Sequence, residues 1–233
     1  MSANPIYLAI DTPNLEAAQS LIGKAGPHVG GIKFGLEYFC ALGHDGVRRA
    51  ASGLPVFLDL KLHDIPNTVA GAVRAVAPLQ PAILNVHAAG GGAMMRAARE
   101  AAADAAGDGP RMRIIAVTVL TSLDDADLDA IGQRGPAGDQ VKRLAGLAQA
   151  SGLDGVVCGP LEVAALRAQC GSDFLLVVPG IRPVGASLDD QKRVMGPAEA
   201  IAAGADHLVI GRPINAAPDP AAAARAIAEQ LAR

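Results

Sequence analysis

The chain has 233 residues, of which 51% are hydrophobic and 18% are charged, so it can bury a sizeable core and intrinsic disorder is excluded. The 20 Lys and Arg residues against 23 Asp and Glu residues give a formal net charge of −3. With this charge, no basic run, and only 4 Phe, 2 Tyr and no Trp to stack on bases, we expect no binding to nucleic acid or to an anionic membrane.

Eight short apolar runs recur along the chain and predict eight β-strands. They are residues 6–10, 29–35, 56–61, 82–87, 113–120, 155–159, 174–180 and 207–211. Stretches with helical spacing lie between them, for example residues 15–25 and 93–106, and the chain closes with another at 220–233. Strands alternating with helices at about 29 residues per unit predict parallel βαβ construction. We therefore predict a single-domain (β/α)8 TIM barrel over residues 1–233, with a doubly wound open sheet as the alternative.

Two of the predicted connections are longer than a minimal barrel requires. They cover residues 121–137 and 181–196. Long loops in compact domains often serve function, commonly as lids. Within the first, we expect one short helix near residues 124–131.

The sequence carries no sign of export or membrane insertion. Its first residues lack the basic stretch and apolar core of a signal peptide, and no segment has the roughly 18 consecutive apolar residues of a membrane span. Cys40, Cys158 and Cys170 are widely spaced and form no CxxC pair. We expect a cytoplasmic protein with reduced thiols.

Charged residues lie at the ends of the first three predicted strands. Strand residues of a barrel alternate between the interior and the helix-facing layer, and catalytic groups sit at the C-terminal strand ends. This alternation brings Asp11, Lys33, Asp59 and Lys61 to one mouth of the barrel.

A structural interpretation of these charges stays open. Asp11 could act in a turn or a helix cap, because Thr12 and Pro13 after it resemble an N-cap and a first-turn proline. Lysines are seldom buried without a partner, and the Asp–Lys alternation followed by Asp64 supplies partners within one segment. A purely structural ion-pair network is the alternative to a catalytic site.

Residues 57–68, FLDLKLHDIPNT, resemble the D-x-K-x-x-D-I-P-x-T signature of the orotidine 5′-phosphate decarboxylases. Further segments resemble the same family in the same order, from residue 9 to residue 214: AIDTPN, IKFGLE, NVHAAGG, VTVLTS, VVPGIRP and VIGRPI. The resemblance implies a homodimeric (β/α)8 carboxy-lyase that converts orotidine 5′-monophosphate to UMP and CO2, the last step of de novo pyrimidine synthesis. It implies no metal and no organic cofactor.

The resemblance assigns catalytic roles to four residues. Lys61 would be the ammonium that stabilises the carbanion at C6 of the pyrimidine and protonates it. Asp59 would lie beside the substrate carboxylate, and Lys33 would hydrogen bond to Asp59 and the ribose. In the family, the residues that match Asp64 and Thr68 reach into the neighbouring subunit's site, so the dimer would share its active sites.

The resemblance also implies substrate contacts. Asp11 would accept a hydrogen bond from the ribose, Thr121 and Ser122 would meet the pyrimidine, and Ile65 and Pro66 would wall the ring. The phosphate would lie at the ends of strands 7 and 8, the usual place for one in such barrels. Its contacts would come from Arg182, Gln191, Gly211 and Arg212.

Other polar residues are interpreted structurally. His63 could help the chain turn after Lys61, and His87 is more typical of a hydrogen-bonded structural imidazole than of a catalytic one. Cys158 has no evident base beside it and is expected to pack. The acidic run at residues 124–127 is expected to be a solvated helix start rather than a metal site.

Two other functions stay open. The first is a magnesium-dependent sugar-phosphate decarboxylase or aldolase of the same superfamily, which would share Asp59, Lys61 and Asp64. Residues 65–68, which fit a flat pyrimidine, and the amide-reading hydroxyl of Ser122 argue against it. The second is a phosphate-ligand sensor that has lost chemistry, but a sensor needs no proton donor.

Overall fold

The computed structural model describes residues 4–183 and 195–231 of the chain. Eight parallel strands follow one another around a closed barrel, and pairing of the first with the eighth completes it. The strands are β1 (Ile6–Ile10), β2 (Gly31–Phe34), β3 (Val56–Leu62), β4 (Ile83–His87), β5 (Arg113–Val117), β6 (Gly155–Val157), β7 (Leu175–Val178) and β8 (His207–Ile210). The predicted (β/α)8 barrel is confirmed, and closure excludes the open sheet.

Helices connect the strands and cover the outside of the barrel. They are α1 (Leu15–Ala25), α2 (Leu36–Ala50), α3 (Pro66–Val76), α4 (Gly91–Ala106), α5 (Asp125–Ala130), α6 (Ala137–Ala150), α7 (Val163–Cys170), α8 (Pro197–Ala202), α9 (Arg212–Asn215) and α10 (Pro220–Leu231). The short helix expected in the first long connection is therefore present as α5. None of the helices in the described part of the chain is long and apolar enough to cross a membrane.

The start of α1 differs from the expectation. The N-cap is Asn14, whose side chain accepts a hydrogen bond from the backbone N–H of Ala17 at 2.9 Å. Thr12 instead accepts from the backbone N–H of Asn14, and Pro13 precedes the helix. The predicted cap was wrong because asparagine, two residues farther along, caps a helix as well as threonine does. Asp11 therefore takes no part in capping α1.

The barrel wall separates two apolar layers. The larger lies between strands and helices and includes the alternating residues Ile6, Leu8 and Ile10 of β1. The smaller fills the barrel interior with five buried side chains: Tyr7, Phe57, Ile83, Ile115 and Val177.

The interior packing is close around Tyr7. Its ring meets that of Phe57 edge-on, with centroids 6.2 Å apart. A Cβ at Gly31, the partner of Tyr7 on β2, would lie 2.4 Å from the phenol ring, so only glycine fits there. Because Asp59 follows Phe57 by two residues, this apolar plug forms the floor beneath the charged residues.

Candidate active site

Three charged side chains from β2 and β3 form one network at the barrel mouth. The Lys33 ammonium lies 3.2 Å from Oδ2 of Asp59, and the Lys61 ammonium lies 2.6 Å from Oδ1 of the same carboxylate. Lys33 also reaches Asp11 at 3.5 Å. The side chains of Lys33 and Asp59 are 8% and 14% exposed, whereas that of Asp11 is 55% exposed. Two ammonium groups thus share one buried carboxylate, and solvent screens the exposed carboxylate of Asp11. The buried part of the network therefore keeps positive charge for an anionic ligand.

Strand register explains why these groups meet. Lys33 pairs with Ala9 of β1 and with Phe57 of β3, which places it between Asp11 and Asp59 at the strand ends. Gly35 leaves room for the ammonium, because a Cβ at this residue would lie 3.2 Å from Nζ of Lys33.

The local charges control the ionisation of Asp59. Burial by itself raises the pKa of this carboxyl, but the charges of Lys33 and Lys61, with hydrogen bonds from Lys61 and Asn85, outweigh burial. The pKa therefore lies below its ordinary value of 3.8. Asp59 is a carboxylate at neutral pH.

Asn85 of β4 joins this network, although the sequence assigned it no role. Its Nδ2 donates to Oδ1 of Asp59 at 2.7 Å, and its Oδ1 accepts from the backbone N–H of Lys61 at 2.7 Å. The residue is fully buried. The available signal was a polar residue in the middle of the apolar run AILNVH, since a buried amide needs partners.

A cavity of about 170 Å³ opens beside the network. Its lining comprises Lys33, Phe57, Asp59, Lys61, Val117, Val119, Leu120, Thr121, Val157, Cys158, Pro179 and Val209. Charged groups lie on one side, and apolar side chains from β5 to β8 and the residues after them form the others. Thr121 lines this cavity, whereas the neighbouring Ser122 is exposed and does not.

The segment after β3 leaves the network. Oδ1 of Asp64 accepts a hydrogen bond from the backbone N–H of Ile65 at 2.6 Å, and neither lysine approaches it. Asp64, Ile65, Pro66 and Thr68 are all exposed, Ile65 by 67%. The expectation that Asp64 partners a lysine of its own segment is thus wrong within one chain, because the turn into α3 carries it outward.

Three of the four residues assigned to a phosphate, Arg182, Gly211 and Arg212, lie around the ends of β7 and β8. Ile181 bridges to Met195, and the Arg182 N–H donates to the Met195 carbonyl at 3.0 Å. Gly211 lies next to Asp11, since a Cβ there would be 3.5 Å from the carboxylate. Arg212 is exposed at the first turn of α9. Gln191 lies outside the described residues, as does most of the second long connection.

Comparison with known proteins decides the family. Residues 4–227 match the model of the family described as "Orotidine 5′-phosphate decarboxylase / HUMPS family". The chain belongs to this family. The resemblance stated from the sequence motifs is confirmed.

Individual members of the family match along their whole length. The orotidine 5′-phosphate decarboxylase of Rhodospirillum rubrum is 58% identical, covering 99% of this chain and 95% of the relative. The orotidine 5′-phosphate decarboxylase of Novosphingobium aromaticivorans is 56% identical, and the match covers 98% of this chain and 100% of the relative. The crystal structure of the orotidine 5′-phosphate decarboxylase from Lactobacillus acidophilus superposes with a TM-score of 0.87 at 38% identity, covering 99% of this chain and 100% of the other.

His63, inside the signature segment, and His87 at the end of β4 form a stacked pair. The rings of His63 and His87 lie 5.4 Å apart at 24°. The buried Nδ1 of His87 has no hydrogen-bond partner among the described residues, so the expected hydrogen-bonded imidazole was wrong. Burial lowers the pKa of His87, and the charges of His63 and Lys61 lower it further.

The remaining structural interpretations agree with the packing. Cys158 is 1% exposed in the layer between strands and helices. Asp124 caps α5 by accepting from the N–H groups of Ala126 and Asp127, each at 3.1 Å. Among the described residues no group of three or more acidic, His or Cys side chains is placed to hold a metal ion. The acidic run is thus a helix start, as expected.

Proposed function

We propose that this protein decarboxylates orotidine 5′-monophosphate to UMP and CO2, the final step of UMP biosynthesis, without a metal or an organic cofactor. The observation that carries the proposal is the Asp59 carboxylate held between the ammonium groups of Lys33 and Lys61 at the edge of a cavity. Whole-length identity of 58% to a curated decarboxylase supports the substrate.

The reaction requires a positive charge at a fixed position and a proton donor. When the bond between C6 and the carboxylate breaks, CO2 leaves and the electron pair stays on C6 in the plane of the ring, where resonance stabilises it little. The Lys61 ammonium stabilises this pair electrostatically and donates a proton to C6. The neutral amine then takes a proton from solvent. Asp59 lies beside the departing carboxylate and fixes the position of Lys61 through the 2.6 Å contact.

The remaining residues bind the substrate. The cavity of about 170 Å³ takes the pyrimidine ring between its charged and apolar walls, with Thr121 at the polar edge of the base. Ser122, exposed next to Thr121 and outside the cavity lining, would reach the amide edge of the base from the mouth. The ribose lies against Asp11 and Lys33. The phosphate lies toward Arg182, Gly211 and Arg212, near the ends of β7 and β8, where barrels commonly bind one. Gln191, outside the described residues, is the fourth contact that the resemblance implies.

The protein acts as a cytoplasmic homodimer with shared sites, and each chain contributes one catalytic domain. This proposal rests on the exposure of residues 64–68 together with the resemblance, in which the counterparts of Asp64 and Thr68 reach a neighbouring subunit's site. Asp64 and Thr68 then complete the site of the second copy, with Ile65 and Pro66 against the pyrimidine.

Mixing two inactive variants tests the shared site. Lys61→Ala and Asp64→Ala damage the same site from different subunits, so a mixed dimer holds one intact site and one doubly damaged site. Random exchange makes half of the dimers mixed, and about a quarter of the wild-type activity should return. Activity that stays at the level of the separate variants contradicts the shared site.

Turnover of orotidine 5′-monophosphate, followed by the loss of its ultraviolet absorbance in excess EDTA, tests the reaction itself. Full activity supports the proposal. Loss of activity on chelation, restored by Mg²⁺, contradicts the metal-independent reaction and favours a sugar-phosphate enzyme. A wild-type protein that binds UMP but never consumes the substrate contradicts an enzyme and favours a sensor.

A further inference from the structure

The strand that carries Lys61 is irregular at that residue. Leu58 pairs with Leu84 and Leu62 with Val86, so four residues of β3 advance while β4 advances by two. Within this bulge Lys61 has φ +49°, in the left-handed region that is unfavourable for a non-glycine residue. Surrounding contacts must hold it there.

Asn85 supplies such a contact. It lies between Leu84 and Val86 on β4, opposite the bulge, and its side-chain Oδ1 accepts the Lys61 N–H at 2.7 Å. A side chain thus takes the place of a backbone acceptor that the shifted register removes. Full burial of Asn85 keeps water from competing for this N–H.

The other end of the same amide holds Asp59. Nδ2 donates to Oδ1 at 2.7 Å, and this oxygen also receives the Lys61 ammonium at 2.6 Å. The chemistry fixes which way the amide faces, because a backbone N–H can only donate and an ionised carboxylate can only accept. One rigid amide therefore sets the main chain of Lys61 and the carboxylate that aims its side chain.

We propose that Asn85 is a positioning residue that holds Lys61 in its proton-donating geometry, an inference that rests on the proposed decarboxylation. It is fully buried and does not line the cavity in which the substrate is proposed to bind, so we expect its effect on the chemical step rather than on binding. Misplacing a catalytic group by about 1 Å can reduce a rate by about 10²-fold.

Asn85→Ala removes both hydrogen bonds. We expect kcat to fall about 10²-fold while KM for orotidine 5′-monophosphate changes less than about threefold. The matched control is Thr118→Val, which removes another buried side-chain hydrogen bond of the barrel wall, from Oγ1 to the carbonyl of Val157 at 2.8 Å. It should lose stability and keep kcat within about twofold of wild type.

Asn85→Asp keeps the shape and is the variant to use if Asn85→Ala does not fold. Its carboxylate still accepts from Lys61 but repels Asp59, whereas the protonated carboxyl donates to Asp59 as the amide does. Among the described residues, Asn85 contacts Asp59 and Lys61 of β3, and Lys33 of β2 contacts the same Asp59 carboxylate. His87, two residues farther along β4, interacts electrostatically with Lys61. Relative to wild type at each pH, kcat of this variant should rise as the pH falls.

The outcomes separate the two proposals. An active wild type with kcat unchanged in Asn85→Ala, or with its loss confined to KM, overturns the positioning role and leaves the decarboxylation intact. The same holds if the kcat ratio of Asn85→Asp to wild type is independent of pH. A wild type without decarboxylase activity overturns both.

Discussion

The two ends of the barrel use charge differently. At the N-terminal ends of the strands, Arg111 binds Asp154 through two hydrogen bonds of 2.8 and 2.6 Å, and Arg167 binds Asp206 at 2.6 Å. Asp154 also accepts the backbone N–H of Ile114. Each of these two guanidinium groups has its own carboxylate, and backbone N–H groups of Ile114 and Leu176 also donate to those carboxylates.

At the C-terminal ends the arrangement is unequal. Two lysines share Asp59, and the second carboxylate near Lys33, that of Asp11, is 3.5 Å away and more than half exposed. Lysine also differs from arginine chemically, because its ammonium can release a proton whereas a guanidinium stays charged. The arginines, each paired with its own carboxylate, therefore stabilise the barrel. The two lysines that share one buried carboxylate instead keep positive charge and a proton available for a substrate.

The largest expected effect comes from truncating the proton donor. Lys61→Ala removes both the charge and the proton, so kcat should fall by at least about 10⁴-fold. The fold should persist, because the residue is part-exposed and lies in a strained backbone conformation. Titration calorimetry should still detect UMP binding. Residual kcat within tenfold of wild type would remove Lys61 from the mechanism.

Replacing lysine by arginine at the barrel mouth tests whether the site needs a removable proton as well as a positive charge. Lys61→Arg keeps the positive charge but offers no removable proton, so we expect kcat to fall at least about 10²-fold with an unchanged melting temperature. Steady-state rates and thermal melts measure both quantities. Near-normal turnover in this variant would mean that charge alone suffices at the mouth.

Replacing arginine by lysine at the N-terminal end of the barrel should change stability and leave turnover unchanged. The Arg167 guanidinium donates to the carbonyls of Gly204 and Phe174 as well as to Asp206. Arg167→Lys cannot reach all three acceptors, so the free energy of unfolding should fall by about 2–3 kcal/mol, with kcat unchanged. Urea denaturation measures the free energy of unfolding, and steady-state turnover measures kcat. A loss of turnover beyond the unfolded fraction would show that the two ends are coupled.

The smallest expected effect is a pH dependence of stability, with one histidine at each end. Burial is the main cause that lowers the pKa of both His87 and His207 below 6.5. The unfolded chain then binds more protons than the folded protein below about pH 6.5, so stability should fall as the pH decreases from 7 to 5. Thermal melts of His87→Asn and His207→Asn should each show a shallower fall. If one variant keeps the wild-type dependence of melting temperature on pH, the histidine at that end of the barrel does not cause the acid sensitivity.

Periodicity predicted most of this architecture. The alternation in residues 56–61 was enough to place Phe57 in the interior and Asp59 above it, because side chains of a strand alternate whatever its neighbours do. The range 15–25 of α1 was also correct, because apolar residues recur there with helical spacing, although the N-cap is Asn14 and not Thr12.

Features that depend on the register between strands were not predictable. The bulge at Lys61 exists only relative to β4, and Asn85 finds Asp59 and Lys61 only because of it. Likewise, no local pattern encodes the stacking of His87 at the end of β4 on His63 in the connection after β3. Nor does one encode that Nδ1 of His87 lacks a hydrogen-bond partner among the described residues.

The irregular course of β3 bears on any attempt to build this chemistry into another scaffold. Designers prefer ideal strands without positive φ at non-glycine residues. Copying only the lysines and aspartates onto such a strand would give Lys61 a regular backbone and a different side-chain direction. The two extra residues and the opposing asparagine therefore form part of the minimal transferable unit, and a design that repairs the bulge would gain stability at the expense of the geometry it was meant to reproduce.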